Sequence, residues 1–159
     1  MPLARFHEAQ AASHGGYETA LAEIRRGRKT SHWIWYIFPQ LAGLGRSAMA
    51  EKYAIRDLAE ACDYLRDPLL RARYQEISDA VSDQLARGTA LEELMGSRID
   101  ALKLVSSLTL FRAAAHSVAA DDTSYEPLAQ LCDTTLHQTE AAGYSRCSHT
   151  AKGISGDQP

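Results

Sequence analysis

The longest regular pattern of apolar positions runs through Leu70, Tyr74, Ile77, Val81 and Leu85, at steps of four, three, four and four. That spacing returns to one face of an α-helix at every step, so it predicts an amphipathic helix with a buried stripe. Asp67-Pro68 opens it, a capping side chain followed by proline at the first helical position, and Gly88 ends it. Similar punctuation divides the rest of the chain. Residues 3–12 predict a first short helix, and Tyr17, Ala20, Leu21 and Ile24 form the inner face of a second, Tyr17 to Arg26, stopped by Gly27. Asp57 with Glu60 predicts a helix to about Leu65; Thr89 with Glu92 predicts a one- to two-turn helix stopped by Gly96. Asp100 is the expected cap of a helix to about His116, with Leu104, Leu108, Phe111 and Ala115 as its stripe. Leu128, Leu131, Cys132 and Leu136 mark a last helix from about Tyr125 to Ala141. No segment alternates with period two between turns, and no strand–helix–strand rhythm occurs. The expected class is all-α, a compact irregular array of about six to eight short and medium helices, since their lengths are too uneven for a regular bundle. Residues 1–150 are expected to form a single helical domain, and the small, polar residues 151–159 a flexible C-terminal tail.

One segment breaks the amphipathic rhythm. Trp33 to Phe38 is an unbroken apolar and aromatic run that holds both tryptophans of the chain and is closed by Pro39. The cations Arg25, Arg26, Arg28 and Lys29 precede it. Trp, Ile, Tyr and Phe favour strands, but no partner strand is evident. The expectation is therefore a short buried helix, capped by Thr30 or Ser31 and ended before Pro39. On such a helix His32, Trp35 and Tyr36 share a face. Gly43 and Gly45 then allow a tight turn, and Ser47 is placed to cap a helix from Ala48 to Tyr53.

Composition narrows the function classes. A chain of 159 residues is one ordinary domain, and at that size roughly 70% of the extended surface is buried without staples. Hydrophobic residues at 45% and charged residues at 23% argue against disorder. A net charge of −3 gives no global drive toward nucleic acid or an anionic membrane. The short Arg25–Lys29 run lacks exposed interleaved aromatics, which argues further against nucleic acid. No apolar run approaches about 18 residues, and no leader-like segment opens the chain, so no membrane association is expected and a cytoplasmic location is. Cys62, Cys132 and Cys147 are odd in number and lack CxxC spacing, as expected of free thiols in a reducing compartment. Cys132, His137, Cys147 and His149 match no standard zinc spacing, so neither metal nor cofactor is expected. No phosphate loop, dinucleotide fingerprint or nucleophile elbow is present.

Two readings of the aromatic segment follow. In the first, Arg28, Lys29 and the amides near Thr30 and Ser31 form an anion site at a helix N-terminus. Trp33 and Trp35 supply an aromatic wall on which Trp35 stacks a ring, His32 acts as general acid or base, and Gln40 orients. Arg46 and Ser47 add polar groups at the exit. Lys103, Ser106, Ser107 and Leu110 share a helix face, and if that face meets the His32–Gln40 region, Lys103 becomes a second cation in one pocket. A lysine beside two serines also has the makings of an activated nucleophile, or of a structural ion pair with hydroxyls bonded to backbone. The candidate catalytic residues are thus His32, Gln40 and Lys103. The candidate ligand-binding residues are Arg28, Lys29, Ser31, Trp33, Trp35, Arg46, Ser47 and Ser107. The ligand expected is an anionic small molecule, phosphorylated or nucleotide-like. In the second reading the same segment is only hydrophobic core, in a non-enzymatic protein-interaction or structural module with an unknown protein partner.

Gly27-Arg28-Lys29, Ser31-His32-Trp33, Trp35, Phe38-Pro39-Gln40, Gly43-Leu44-Gly45 and Ser47 resemble the signature of domain-of-unknown-function family 1810. The resemblance continues through Met49-Ala50, Tyr53-Ala54-Ile55, Glu60-Ala61, Tyr64-Leu65, Pro68-Leu69, Lys103-Leu104 and Ser106 to Phe111, so it spans about Arg5 to Phe111. It implies a compact, mainly helical fold and a stand-alone bacterial-type cytoplasmic protein, and it brings no activity with it. From about Ala113 the chain departs from the usual ending of that family.

Overall fold

Asp67 does what its place before Pro68 predicts. Its carboxylate accepts from the amides of Leu69 and Leu70 at 3.0 and 3.1 Å, satisfying donors that a helix start leaves unpaired. The helix so begun, Pro68–Ala86, is one of ten in the computed structural model, which describes residues 3–155. In chain order they are α1 (Ala4–Gln10), α2 (Tyr17–Arg26), α3 (Ile34–Ile37), α4 (Ala48–Lys52) and α5 (Leu58–Arg66). There follow α6 (Pro68–Ala86), α7 (Leu91–Met95), α8 (Arg98–Ala119), a 3₁₀ turn (Thr123–Tyr125), α9 (Glu126–Ala141) and α10 (Ser148–Ser155). No strand occurs among the described residues, only an isolated parallel bridge between Leu41 and Ile55. The count exceeds the six to eight expected.

α8 is the axis of the array. Every residue from Leu104 to Phe111 is buried, so the helix is enclosed on all sides at its middle, against α5, α7, α9 and α10. An aromatic chain crosses this core. Trp33 lies 6.3 Å from Phe38, Phe38 5.6 Å from Tyr74, Tyr74 4.5 Å from Phe111 and Phe111 5.0 Å from Tyr64. These spacings suit offset or tilted ring pairs.

Four local expectations are corrected. The apolar run is helical only over Ile34–Ile37, with Trp33 at its cap and no side-chain cap from Thr30 or Ser31. His32 therefore lies outside the helix, and shares no helical face with Trp35 and Tyr36. Ala90, not Thr89, caps α7, because the Thr89 hydroxyl donates to Gln84 at 2.8 Å. Ser97, not Asp100, caps α8, which leaves the Asp100 carboxylate free for other partners. Residues 151–155, expected in a flexible tail, belong to α10, with Gly153 packed so closely on Leu41 that a Cβ there would meet Leu41 Cδ2 at 2.5 Å. The rest of the expected tail, 156–159, lies outside the described residues.

The loop between α2 and α3 is folded around one carboxylate. Glu23, 3% exposed, accepts from the amides of Thr30 (2.7 Å) and Ser31 (2.9 Å), the Ser31 hydroxyl (2.5 Å) and the Trp33 indole N–H (3.0 Å). Burial pushes its pKa up, but the Ser31, Thr30 and Trp33 donors outweigh that and bring it from 4.5 down to about 2. A depressed carboxyl stabilises the fold above its unfolded value and loses that contribution as pH falls from about 4.5 to about 2. At about 1.4 kcal/mol per unit this amounts to roughly 3 kcal/mol. Glu23→Gln is expected to lower unfolding free energy by about that much at neutral pH. Urea titrations of wild type and variant across pH check this: the two curves converge at the acid end, and parallel curves would refute the assignment.

Candidate functional site

Beyond Pro39 the chain turns back along the N-terminal half of α8. Gln40 and Ala42 hold this path by pairing with Ile55, whose N–H donates to Gln40 O and whose carbonyl accepts from Ala42 N, both at 2.8 Å. Gly43 follows in a left-handed conformation, φ 96°, and a Cβ there would come within 3.2 Å of His149 Nε2. Between this loop, α4, α8 and the segment leading into α10 lies a cleft of about 680 Å³. That is within the roughly 300–1,000 Å³ of small-molecule sites. Trp35, Gln40, Leu41 and Tyr53 line one side, and Ile99, Lys103 and Ser106 of α8 line another. Arg146, Cys147 and His149 close the third.

The expected site residues separate into two groups. Trp35, Gln40 and Lys103 are brought together on this cleft. Lys103 Nζ stands 5.1 Å from the centre of the Trp35 ring, a cation–π distance. Trp35 is partly buried, and its indole N–H is shut off from solvent with no acceptor among the described residues. The others lie elsewhere. Trp33 is fully buried and given to Glu23. The Thr30 and Ser31 amides, expected to bind an external anion, are occupied by that same carboxylate. Lys29 is 7% exposed, and its ammonium bonds Asp100 (2.7 Å) and Ser31 O (2.6 Å) above the Trp33 ring. Arg28 and His32 are exposed and off the cleft lining, as are Arg46 and Ser47, the latter capping α4 through Ala50 N at 3.1 Å. Ser107 is fully buried and bonds the Tyr74 hydroxyl at 3.0 Å.

Arg146, Cys147 and His149 were not among the expected site residues. Their segment is tied down by Tyr144, whose hydroxyl donates to Glu92 at 2.6 Å, and by the Cys147 amide, 3.4 Å from the Thr109 hydroxyl. Cys132 is instead fully buried on α9, and no group of three His, Cys, Asp or Glu among the described residues is placed to hold a metal. The lining carries three basic side chains, Lys103, Arg146 and His149, against one acid, Glu51.

Fold and cleft together define an all-helical single domain in which one wall of the cleft is made by the segment leading into the last helix of the described residues. The chain belongs to the family described as protein of unknown function DUF1810, whose model matches residues 1–141. The match thus reaches past Phe111 and includes the segment after Ala113 that looked divergent. Among solved structures, the chain is similar to the conserved hypothetical protein Rv1873 from Mycobacterium tuberculosis, at 35% identity and TM-score 0.79 over 96% of each chain. No curated protein matches. No helix among the described residues is long and apolar enough to cross a membrane.

Asp100 links the buried and the open parts of the site. It binds Lys29 on one side and lies 3.7 Å from Lys103 on the other. Removing one partner of a buried ion pair strands the other, at about 3 kcal/mol. Asp100→Asn is therefore expected to lower unfolding free energy by about that amount, whereas Lys103→Gln, at a more exposed position, costs less than about 1 kcal/mol. Chemical denaturation of the two variants decides it; equal losses would contradict the arrangement.

Proposed function

We propose that this domain binds a small anionic molecule carrying a planar ring, phosphorylated or nucleotide-like, in the cleft between Trp35 and Lys103. The observation that carries the reading is the Lys103 ammonium standing 5.1 Å from the centre of the Trp35 ring, both residues on the lining of one cleft. Lys103, Arg146 and His149 favour an anion, and the Trp35 surface and Leu41 favour a flat apolar body. Gln40 supplies an amide able to donate and accept, which suits orientation of a polar ring edge. His32 takes no part in this reading, since it is exposed and off the cleft lining.

The alternative, a module in which the signature is only core, draws its support from Trp33, Ile34, Ile37 and Phe38, each at most 2% exposed. The two readings therefore divide the signature between them, with Trp33 securing the core and Trp35 facing the ligand.

Thermal-shift screening with nucleotides, NAD, ADP-ribose, sugar phosphates and inorganic phosphate tests the proposal. A ligand at about a hundred times its Kd adds about 2.7 kcal/mol, a rise of several degrees for a domain of this size. Trp35→Phe and Lys103→Gln are expected to remove most of that rise while His32→Ala keeps it. Absence of stabilisation by every compound, or full stabilisation of both variants, would rule the proposal out.

A further inference from the structure

Three large hydrophobic side chains stand exposed among the described residues, Leu69 on α6 and Ile99 and Leu102 on α8. One exposed apolar side chain is ordinary, and Leu69 is such a case. Ile99 and Leu102 are not scattered. They lie three residues apart on one face of α8, and both line the cleft, 65% and 45% exposed. Leu44, half-buried, lines it from the loop before α4. The cleft therefore has an apolar lip that the fold itself leaves uncovered. Its cations begin where the lip ends. Lys103 follows Leu102 in the chain, and Arg146 and His149 belong to the third wall. Lys103 and Arg146 each face a carboxylate only at a distance, Asp100 at 3.7 Å and Glu140 at 3.6 Å. Among the described residues neither of the two donates a hydrogen bond to any group, so their N–H donors remain available to an anion. From Ile99 to Ser106, which also lines the cleft, α8 rises roughly 10 Å.

From this arrangement we infer that the ligand of the cleft is a phosphorylated amphiphile, with its phosphate held by Lys103 and Arg146 and an aliphatic arm laid outward along Leu102 and Ile99. The inference rests on the cleft being a ligand site, as proposed above, and adds the arm to the ring and the anion. Charge decides the head. Lys103, Arg146 and His149 stand against Glu51 on the lining, so an anion is favoured and a cationic amphiphile is repelled. The exposed hydrocarbon decides the arm. Each methylene that covers it gains about the same, until the arm runs past Ile99. A volume of about 680 Å³ admits both parts. A second copy of the chain and a membrane surface are the other occupants an apolar lip admits. Here the lip borders a cleft with its cations on the lining, and a chain narrow enough to enter reaches both lip and cations.

The experiment is calorimetric titration of the full-length protein with butyl, hexyl, octyl and decyl phosphate, each kept below its critical micelle concentration. The expected result is one site per chain, with affinity rising about two- to fourfold per methylene and levelling off once the arm has passed Ile99. Ile99→Gln and Leu102→Gln are expected to flatten that rise. Leu69→Gln, at a position as exposed as Leu102 but off the cleft lining, is expected to leave it unchanged. Butyl phosphate, with the shortest arm, reports that the α8 variants keep the anion site. Lys103→Gln is expected to weaken every member of the series by about tenfold, the worth of a hydrogen bond to a charged group, without changing the slope. Octyltrimethylammonium is expected not to bind. Affinity independent of chain length overturns the inference, as does a rise that survives both α8 substitutions or falls equally in Leu69→Gln. A dimer in light scattering that Ile99→Gln dissociates, or sedimentation of the protein with phosphatidylglycerol vesicles, also overturns it, because the lip then has another occupant. Stabilisation by a nucleotide with a flat alkyl series refutes the arm and leaves the ring-and-anion reading standing. A graded alkyl series with no stabilisation by any ring compound refutes the ring and upholds the arm.

Discussion

A buried carboxylate is costly unless its oxygens are hydrogen-bonded, and Glu23 meets that condition with four donors from one loop, three on Oε1 and one on Oε2. The donors are as dependent on the acid as it is on them, because Thr30, Ser31 and Trp33 have left the helical ladder and need another acceptor. This exchange fixes the path from the end of α2 into α3, and with it the position of everything downstream. Trp33 is held by its indole N–H, the Lys29 ammonium is held above the Trp33 ring, and Asp100 of α8 is held by Lys29. Lys103, one turn along α8, is then set over Trp35. The polar chain runs from the core to the cleft, with Glu23 satisfied by neutral donors and Asp100 shared between Lys29 and Lys103.

The same economy explains why the cleft stands open. Trp33 and Trp35 are two residues apart, and the change of backbone between the non-helical cap residue Trp33 and the helical Trp35 sends them in different directions. Trp33 enters the core, where its polar atom is matched. Trp35 stops at the surface of the core with its polar atom unmatched. The third wall comes from residues beyond 141, outside the span of the family model. The likeness to the mycobacterial structure nevertheless covers 96% of this chain, which carries it past that boundary. Floor and wall are thus encoded separately: the signature with α8 makes one, and the Tyr144 anchor with α10 makes the other.

Much of the fold was legible because it depends on local rules. The limits of α2, the Asp67-Pro68 start of α6 and the Ser47 cap of α4 each rest on contacts within a few residues. What could not be read was the competition for polar partners across the fold. Thr89 and Asp100 each stood where a cap is expected, and each was claimed by another group, Gln84 at the end of the preceding helix in one case and Lys29 from across the fold in the other. The anion site predicted at Thr30 and Ser31 was chemically sound, yet the anion proved to be the chain's own Glu23. Trp35, Gln40 and Lys103 were legible as site candidates by residue type and helical phase. Cys147 was not, because nothing near it in sequence announces Ser106, which is separated from it by most of α8 and all of α9.

The presence of Ser106 there has a cost that bears on its role. A serine within a helix ordinarily returns its hydroxyl to a carbonyl of the preceding turn, as Thr109 does to Val105 at 2.8 Å. Ser106 is 3% exposed and donates to the Cys147 sulfur instead. Sulfur is a weak acceptor when neutral and a better one when charged. The Thr150 hydroxyl, on a fully buried residue in the first turn of α10, donates to the same sulfur. Two buried donors on one sulfur therefore fix the Cys147 side chain at the start of α10 and tie that wall of the cleft to α8.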